Sequence, residues 1–527
     1  MKTLYDSLLK YKDTKLKALF FNNKEITYKK LISNIEKMIS FFKEKGIKKD
    51  DVVTLVLPNI PSTIYSFYAL NAMGVILNII HPLTNVENII SSMKTTNSNF
   101  AIVLATTYKN NEKLFDQSGF SFFFANPMED HSFIMKNVFY LKYKKIKETD
   151  NLFLLDNYVY YKENKETVNC DETKPSIYLH SGGTTGNPKT ICLSNKSINN
   201  LASKVVKSIL TDNPIGKSML AVLPTFHGFG LAVGIHTPLA SGATSSLMMK
   251  FNKKQVIKWI NQNKINYIIG VPLLYQKLLE EEDFINCKLE NLLACFVGGD
   301  DVSTNLIESF NKLMKEKNSS NLLLEGYGLT ETVTVCSVNT NSNFKLGSVG
   351  KPLNGIVFKV LDDNNQELKP NEIGEVYISG DTLMNGYLND PISTNKTLIN
   401  IGGTLFVKTG DLGYLDEEGF LFLKGRKKRI FKISGINVYP IEVEKIVRNI
   451  NGIKDACLEF FDNGPHLNLY VIKDKNSNKS NEELTKLIYK DLINKVLKYS
   501  IPKNIVFVDE FPKTSVGKID HKAFKDV

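Results

Sequence analysis

The chain has 527 residues, of which 43% are hydrophobic and 23% charged, a composition that predicts a folded globular protein with more than one domain and excludes a disordered one. The net charge of +11 comes from lysines spread along the chain without a nucleic-acid-binding motif, so we expect no nucleic-acid partner. The six cysteines form no C-x-x-C pair and apolar runs such as that near residues 75–80 are short, which predicts a cytoplasmic protein without a zinc site, a disulfide framework or a membrane span.

Helices and strands alternate through the first part of the chain. Apolar residues recur at helical spacing over residues 31–42, and Gly46 then offers a helix C-terminus before a strand over 52–57. Pro61 can open another helix, which ends near Gly74, and residues 100–105 read as a buried strand. Further short apolar runs at 221–223 and 268–271 continue the pattern. It predicts layered, largely parallel sheets flanked by helices.

The composition changes near residue 425, where the charged sequence GRKKR precedes a compact pattern of alternating elements. We predict helices over 441–450 and 482–499 and strands over 467–472 and 505–508. This pattern favours a separate α+β unit. We place the domain boundary between residues 427 and 428.

The sequence SGGTTGNPK, from Ser181 to Lys189, combines glycines, hydroxyl side chains and a lysine. Such a loop can present backbone N–H groups, hydroxyl donors and a positive charge to a polyphosphate. It is not a Walker A loop, because Asn187 and Pro188 separate Gly186 from the lysine. Taken alone, it is equally typical of a flexible surface turn. The predicted phosphate-binding residues are Ser181, Gly182, Gly183, Thr184, Thr185, Gly186 and Lys189.

Four further motifs follow the loop in order: YGLTET at 327–332, FVKTGD at 406–411, GRKKRIFKISG at 425–435 and PKTSVGKID at 512–520. In this order and at these separations the motifs resemble those of the adenylate-forming superfamily, over nearly the whole chain. The resemblance implies an α/β fold with a large N-terminal multi-sheet domain and a small mobile α+β C-terminal domain. It also implies an ATP- and Mg²⁺-dependent reaction of a carboxylic acid, in which an acyl adenylate forms first and a thiol such as that of CoA then displaces AMP.

The resemblance also implies roles for individual residues. Glu331, beside Thr330, matches the magnesium ligand, and Tyr327 matches the aromatic residue that lies against adenine. The glycine pair Gly298 and Gly299 matches the segment that lets adenine approach the backbone, and we assign no role to the Asp300 and Asp301 that follow it. The ribose is expected to contact Asp411 and Arg426.

Lys518 matches the lysine that bridges the substrate carboxylate and the α-phosphate during adenylation. Lys432 and Gly435 fall where the family's second conformation presents a loop to the thiol-bearing arm. Lys428 stands at the position of the hinge between these two conformations. The resemblance therefore implies that the small domain rotates between the half-reactions.

His227 resembles the gating residue beside the acyl pocket, although a histidine in an apolar stretch is also commonly structural. Amino-acid-activating members of the superfamily carry an aspartate near this point, whereas this chain has FHGF at 226–229. We therefore expect a carboxylate without an α-ammonium group.

We predict an acyl- or aryl-CoA synthetase. Transfer of the acyl group to a phosphopantetheine carrier protein is the first alternative, since it shares the adenylation step. A luciferase-like oxygenase and a nonenzymatic nucleotide-binding protein are the others.

Overall fold

We describe a computed structural model over residues 2–128, 146–181, 189–210, 213–433, 436–461, 466–513 and 519–525. The α-helices of these residues, in chain order, are α1 (Asp6–Leu9), α2 (Tyr28–Glu44), α3 (Pro61–Ala72), α4 (Val86–Thr96), α5 (Glu112–Gln117), α6 (Asn195–Ser208), α7 (Thr237–Ala240), α8 (Lys253–Asn261), α9 (Pro272–Leu279), α10 (Glu282–Ile285), α11 (Thr304–Glu316), α12 (Pro391–Thr397), α13 (Pro440–Arg448) and α14 (Asn481–Lys495). A π-helix, Phe229–His236, precedes α7. No helix within the described ranges is both long and apolar enough to cross a bilayer.

The strands are β1 (Lys17–Phe21), β2 (Lys24–Thr27), β3 (Val52–Val56), β4 (Ile76–Ile79), β5 (Ser98–Leu104), β6 (Ser121–Ala125), β7 (Leu152–Leu154), β8 (Pro175–His180), β9 (Thr190–Ser194), β10 (Ser218–Ala221), β11 (Thr244–Leu247), β12 (Tyr267–Gly270), β13 (Ala294–Val297), β14 (Leu323–Gly328), β15 (Val335–Val338), β16 (Lys351–Pro352), β17 (Val357–Leu361), β18 (Gly374–Ser379), β19 (Gly386–Tyr387), β20 (Leu398–Ile401), β21 (Thr404–Leu415), β22 (Leu421–Arg426), β23 (Phe431–Ile433), β24 (Ile436–Val438), β25 (Ile453–Phe461), β26 (His466–Lys473) and β27 (Asn504–Phe507).

These strands form two large sheets and several smaller ones among the described residues. The first large sheet has the strand order β16-β15-β14-β13-β12-β10-β11-β1-β2, and the second has the order β19-β9-β8-β4-β3-β5-β6-β7. Strands β10, β12, β13 and β14 pair in parallel. Apolar residues of both sheets and of α2, α3 and α6 share one hydrophobic cluster, so helices are packed between sheets, as the sequence pattern predicts.

A third sheet, β17-β18-β21-β20 with β22 paired to β21, leads into the C-terminal part of the chain. There β25, β26 and β27 form a small sheet, and α13 and α14 pack on it around a separate hydrophobic cluster that includes Val443, Leu469 and Ile488. The chain thus has the predicted large α/β domain and small α+β domain. The boundary at 427/428 remains a prediction; Lys427–Arg429 form a short 3₁₀ turn there.

Local signals account for several element ends. The Thr27 side chain accepts a hydrogen bond from the backbone N–H of Lys30 and caps α2, and Gly46 follows the helix with φ of +88°, a conformation that favours glycine. Pro61 occupies the first turn of α3, where a missing N–H costs nothing. These starts and stops agree with the sequence analysis.

The helix predicted over 482–499 is shorter, because α14 ends at Lys495. Val496 is extended, with φ of −130° and ψ of 163°, and Lys498–Ser500 form a 3₁₀ turn. Pro502 disfavours a helical conformation at Ile501, so the helix does not resume after this turn and the chain continues toward β27. The strand predicted at 221–223 likewise lies earlier, at Ser218–Ala221.

Candidate active site at the carboxyl ends of the parallel strands

The predicted site residues of the large domain lie where neighbouring parallel strands end. β13 runs directly into Gly298 and Gly299, β14 runs into Thr330 and Glu331, and the segment after β10 carries His227. Because these strands are parallel neighbours, their carboxyl ends meet at one edge of the sheet. The fold therefore brings together residues that are about a hundred positions apart in sequence.

Tyr327, Asp411 and Arg426 form one hydrogen-bonded group at this edge. The Tyr327 hydroxyl donates to Asp411 Oδ2 at 2.5 Å, and Arg426 Nε lies 2.7 Å from Asp411 Oδ1. Asp411 and Arg426 face each other across β21 and β22, so the sheet register sets their distance. Arg426 also donates to the backbone carbonyl of Thr409 at 3.1 Å.

The Asp411 carboxyl is only 6% exposed. Burial raises its pKa above the ordinary value, although Arg426 and the Tyr327 hydroxyl act in the opposite direction. Burial and the Asp411 carboxylate together raise the pKa of Tyr327, which stays a neutral hydrogen-bond donor. A carboxylate accepts up to about four hydrogen bonds, so Asp411 has acceptor capacity beyond these two donors.

Tyr387 joins two predicted site residues that are far apart in sequence. Its hydroxyl donates to Glu331 Oε1 at 2.9 Å, and Lys189 Nζ lies 4.5 Å from the centre of its ring. Strand β19, which carries Tyr387, pairs with β9 directly after Lys189. The sequence analysis missed this tyrosine, because no charged or glycine-rich pattern marks it.

Ser181 and Lys189 lie opposite each other at the two ends of the predicted phosphate loop. The Ser181 N–H donates to the Lys189 carbonyl at 2.9 Å, and the Lys189 N–H donates to Ser181 Oγ at 3.0 Å. Before them, His180 contacts Asn78 Oδ1 through Nε2 at 2.7 Å, and burial lowers its pKa to about 4. A neutral histidine with a fixed orientation thus supports the start of the loop. Like Tyr387, it is a supporting residue that the motif alone did not reveal.

The glycine pair after β13 is required by close packing and by backbone conformation. A Cβ on Gly298 would lie 2.8 Å from the carbonyl oxygen of Gly326, and Gly299 has φ of +82°. Larger residues would displace the strand that carries Tyr327.

His227 lies beside the turn that carries Glu331. A Cβ on the next residue, Gly228, would lie 1.9 Å from the carbonyl oxygen of Val333. Val333 itself has φ of 67° and ψ of −59°, a strained conformation for a β-branched residue. The backbone after His227 and the 330–333 turn are therefore in direct contact.

Several predicted residues lie outside the described part of the chain. These are Gly182, Gly183, Thr184, Thr185, Gly186, Gly435 and Lys518. Lys432 lies on β23, and only its backbone is described.

The chain is similar to known proteins in sequence and in fold. Residues 10–388 match the family model described as AMP-binding enzyme. The chain belongs to this family. As an AMP-binding enzyme it is similar to a long-chain-fatty-acid–CoA ligase of Bacillus subtilis, with 28% identity over 98% of this chain and 92% of the relative. A probable 4-coumarate–CoA ligase 3 of Dictyostelium discoideum is 27% identical over 95% of this chain and 90% of the relative.

The fold of this AMP-binding enzyme also matches solved structures. A benzoate CoA ligase from Burkholderia xenovorans LB400 has a TM-score of 0.84 and 18% identity, over 99% of each chain. The superfamily and fold class predicted from the sequence are confirmed.

The donor set suits an ATP–magnesium complex. Glu331 is half-buried, and an oxygen ligand of this kind fits Mg²⁺, which prefers one or two carboxylates together with phosphate oxygens and water. Lys189 Nζ lies 4.5 Å from the centre of the Tyr387 ring, whose hydroxyl donates to Glu331. One tyrosine thus contacts both a carboxylate and a cation, the two kinds of group that a magnesium–triphosphate complex requires.

A second group of possible metal ligands lies in the small domain. One ligand atom each from Cys457, Glu459 and His521 lies within 4.8 Å of the others. Arg429 Nη2, however, lies 3.7 Å from Cys457 Sγ and 3.5 Å from Glu459 Oε1. The guanidinium already supplies the positive charge at this position, which argues against a metal ion there.

Proposed function

We propose that the protein is an AMP-forming ligase that activates a carboxylic acid with ATP and transfers the acyl group to CoA. The observation that carries the proposal is the grouping of Glu331, Lys189, Tyr327, Asp411 and Arg426 around the carboxyl ends of the parallel strands, in a chain of the AMP-binding enzyme family. The CoA-ligase relatives support CoA as the acceptor rather than a carrier protein.

We assign the phosphate groups of ATP to the loop 182–186, held between Ser181 and Lys189. Glu331, oriented by Tyr387, would hold Mg²⁺, which would neutralise phosphate charge as the acid approaches. Thr330, adjacent to this carboxylate, would add a hydroxyl donor to the phosphates. The adenylation step depends on such positioning and charge stabilisation more than on covalent chemistry by the protein.

We assign the nucleoside to the group around Asp411. Adenine would lie against the backbone at Gly298 and Gly299, next to the ring of Tyr327, whose hydroxyl is held by Asp411. The Asp411 carboxylate would accept hydrogen bonds from the ribose hydroxyls, together with Arg426. Its low exposure strengthens such bonds, because water competes poorly there.

The acid would lie next to His227, and Lys518 would bridge its carboxylate and the α-phosphate. The absence of an acidic residue in the FHGF sequence at 226–229 favours an acid without an α-ammonium group, in agreement with the fatty-acid and coumarate relatives. In the second half-reaction Lys432 and Gly435 would line the path of the CoA thiol, after rotation at Lys428.

The test is a panel of fatty, aryl and amino acids, each assayed for exchange of pyrophosphate into ATP and then for thioester formation with CoA. We expect exchange only with Mg²⁺ and with acids that lack an α-ammonium group. Glu331→Gln should weaken the magnesium-dependent exchange. Absence of exchange across the panel would overturn the proposal. Thioester formation with a carrier protein but not with CoA would show that the acceptor is a carrier protein.

Lys518→Ala separates the half-reactions. We expect adenylation to fall by roughly 10²–10³, the cost of one preorganised charge-stabilising group. Thioester formation from supplied acyl adenylate should survive much better. An equal loss in both steps would show that Lys518 is structural or acts in both steps.

A further inference from the structure

Asp301, to which the motifs assign no role, contacts the small domain. It follows the Gly298–Gly299 pair at the carboxyl end of β13, on the large domain. Its carboxylate lies 2.5 Å from Arg448 Nη1 and 3.2 Å from Lys445 Nζ, both on α13 of the small domain. The Asp301 and Arg448 side chains are 18% and 14% exposed, so water screens this ion pair less than a surface pair.

Neutral hydrogen bonds cross the same boundary beside the ion pairs. Asn449 Nδ2 donates to Thr304 Oγ1 at 3.0 Å, and Asn305 Nδ2 donates to the carbonyl of Asn449 at 2.8 Å. Here the N-terminus of α11 meets the C-terminus of α13, so the partial positive charge of one helix end faces the partial negative charge of the other. The contact is therefore complementary in charge as well as in hydrogen bonding.

Inside the small domain a continuous series of charged groups extends from this contact. Arg448 lies 3.6 Å from Glu444, and Glu444 lies 2.6 Å from Arg429, the residue after the predicted hinge. Arg429 lies 3.5 Å from Glu459, which contacts His521 Nδ1 at 2.6 Å.

The series ends at His521, which comes directly after the motif PKTSVGKID. Within that motif a β-bridge pairs Lys513 with Ile519. The large-domain contact, the hinge turn and His521 are thus connected through direct side-chain contacts.

We propose that Asp301 is a positioning residue that docks the small domain on the segment after β13, next to Gly298 and Gly299. This docking stabilises one of the two domain arrangements used by the half-reactions. The inference rests on the proposed ligase function. Removing the carboxylate weakens the contact of α13 with the large domain without changing a residue that we assign to ATP, the acid or CoA. It therefore changes the population of the docked arrangement and not the chemistry within either one.

The matched variants are Asp301→Asn and Asp455→Asn. Both remove a carboxylate partner of Arg448, since Asp455 Oδ1 lies 2.7 Å from Arg448 Nε, but Asp455 belongs to the small domain. We expect Asp301→Asn to change the ratio of the adenylation rate to the rate of thioester formation from supplied adenylate by about tenfold or more, equivalent to roughly 1.4 kcal/mol. Asp455→Asn should leave that ratio within about twofold. Equal changes in both half-reactions, or an unchanged ratio in Asp301→Asn, would overturn the proposal.

A cross-linking measurement tests docking without any substrate. Thr304→Cys combined with Asn449→Cys should react rapidly with a short bifunctional maleimide, and adding Asp301→Asn should slow the cross-link by about tenfold. Parent protein with its six natural cysteines is the control. An unchanged cross-linking rate would overturn the docking role even if the ligase activity is found. A slowed rate in a protein that forms no thioester would instead support docking while the proposed function fails.

The cross-linked protein identifies the step that the arrangement serves. We expect the rate of one half-reaction to stay near that of the double cysteine variant before cross-linking. The rate of the other half-reaction should fall by at least about tenfold. Retention of both half-reactions would contradict a mutually exclusive arrangement.

Discussion

Two buried carboxylates with arginine partners behave in opposite ways in the two domains. In the large domain Asp411 pairs with Arg426, which is 60% exposed, and burial raises the pKa of Asp411. In the small domain Glu444 is 2% exposed and contacts Arg429 and Arg448. Burial alone would raise the pKa of Glu444 too, but these two arginines and a backbone N–H outweigh it, and its pKa is lowered.

The difference distinguishes the proposed ligand site around Asp411 from a structural ion pair around Glu444. Glu444 is stabilised as an anion by groups of the protein itself, so its charge is satisfied in the folded state. The negative charge of Asp411 is less well compensated by the protein, and its carboxylate can accept further hydrogen bonds. The proposed contact with the ribose hydroxyls requires such an acceptor. The same substitution should therefore affect stability in one domain and ligand binding in the other.

The largest effect is expected for Glu444→Gln, which removes the most deeply buried carboxylate in contact with Arg429 and Arg448. We expect the free energy of unfolding to fall by about 3–5 kcal/mol, measured by denaturant titration. The control is Glu442→Gln, because Glu442 pairs with Lys424 at 2.6 Å with 36% of its side chain exposed, and its loss should cost under about 1 kcal/mol. Similar losses in both variants would contradict the distinction.

Asp411→Asn should have the opposite profile. We expect the KM for ATP to rise by about 10–100-fold, since hydrogen bonds to a charged group contribute about 1.5–3 kcal/mol. The free energy of unfolding should change by less than about 1 kcal/mol, because Arg426 is largely hydrated. A large loss of stability with an unchanged KM would place Asp411 with Glu444 as a structural carboxylate.

Glu325 provides a pH-dependent test of how burial sets the pKa of a carboxyl group that no arginine among the described residues contacts closely enough to offset it. It is 6% exposed, and burial raises its pKa to about 8, while nearby Lys445 lowers the pKa and Asp301 raises it. The folded protein then holds a proton that the unfolded chain releases above its ordinary pKa of about 4.5. Consequently the contribution of Glu325 to stability falls as pH rises from about 4.5 to 8.

Glu325→Gln removes this titration. The variant should be more stable than the wild type at pH 9, by on the order of 2 kcal/mol, and the difference should shrink toward pH 5. Denaturant titrations at several pH values measure it. Glu316→Gln, at a side chain that is 59% exposed, is the control without a pH-dependent difference. A gap that is constant with pH would show that Glu325 is ionised in the folded state.

The smallest effect is expected for Tyr327→Phe, which keeps the ring and removes the donor to Asp411. We expect the KM for ATP to rise by roughly 3–10-fold, near the 1 kcal/mol of a single hydrogen bond. Tyr489→Phe removes a hydroxyl that donates to the Lys503 carbonyl at 3.2 Å, outside the site, and should leave KM unchanged. A rise in the KM for ATP as large as that of Asp411→Asn would mean that the tyrosine, and not the carboxylate, dominates ribose recognition.

The layered fold and the family were predictable because their signals are local. Apolar periodicity, Gly46 and Pro61 fixed helix and strand limits through short-range conformational preferences. The helix predicted to residue 499 was too long. The apolar periodicity continues past Lys495, whereas the backbone is already extended at Val496 and leads toward β27. A boundary of this kind depends on where the chain must go next.

The supporting contacts of the site were not predictable from the motifs. Tyr387 contacts Glu331 and Lys189 only because β19 pairs with β9, and His180 is neutral only because it is buried. Asp301 contacts Arg448 across 147 positions. Pairing between distant segments sets all three, and a single sequence carries no direct signal of it.

The contact between Gly228 and Val333 limits how the substrate preference of this ligase can be redesigned. Adding even one methyl group at residue 228 would push against a turn that is already strained and that carries Glu331. A change made beside His227 to admit a different acid would then also disturb Glu331, the proposed magnesium ligand. Pocket engineering should therefore start from side chains on the other walls, leaving the backbone at residue 228 as it is.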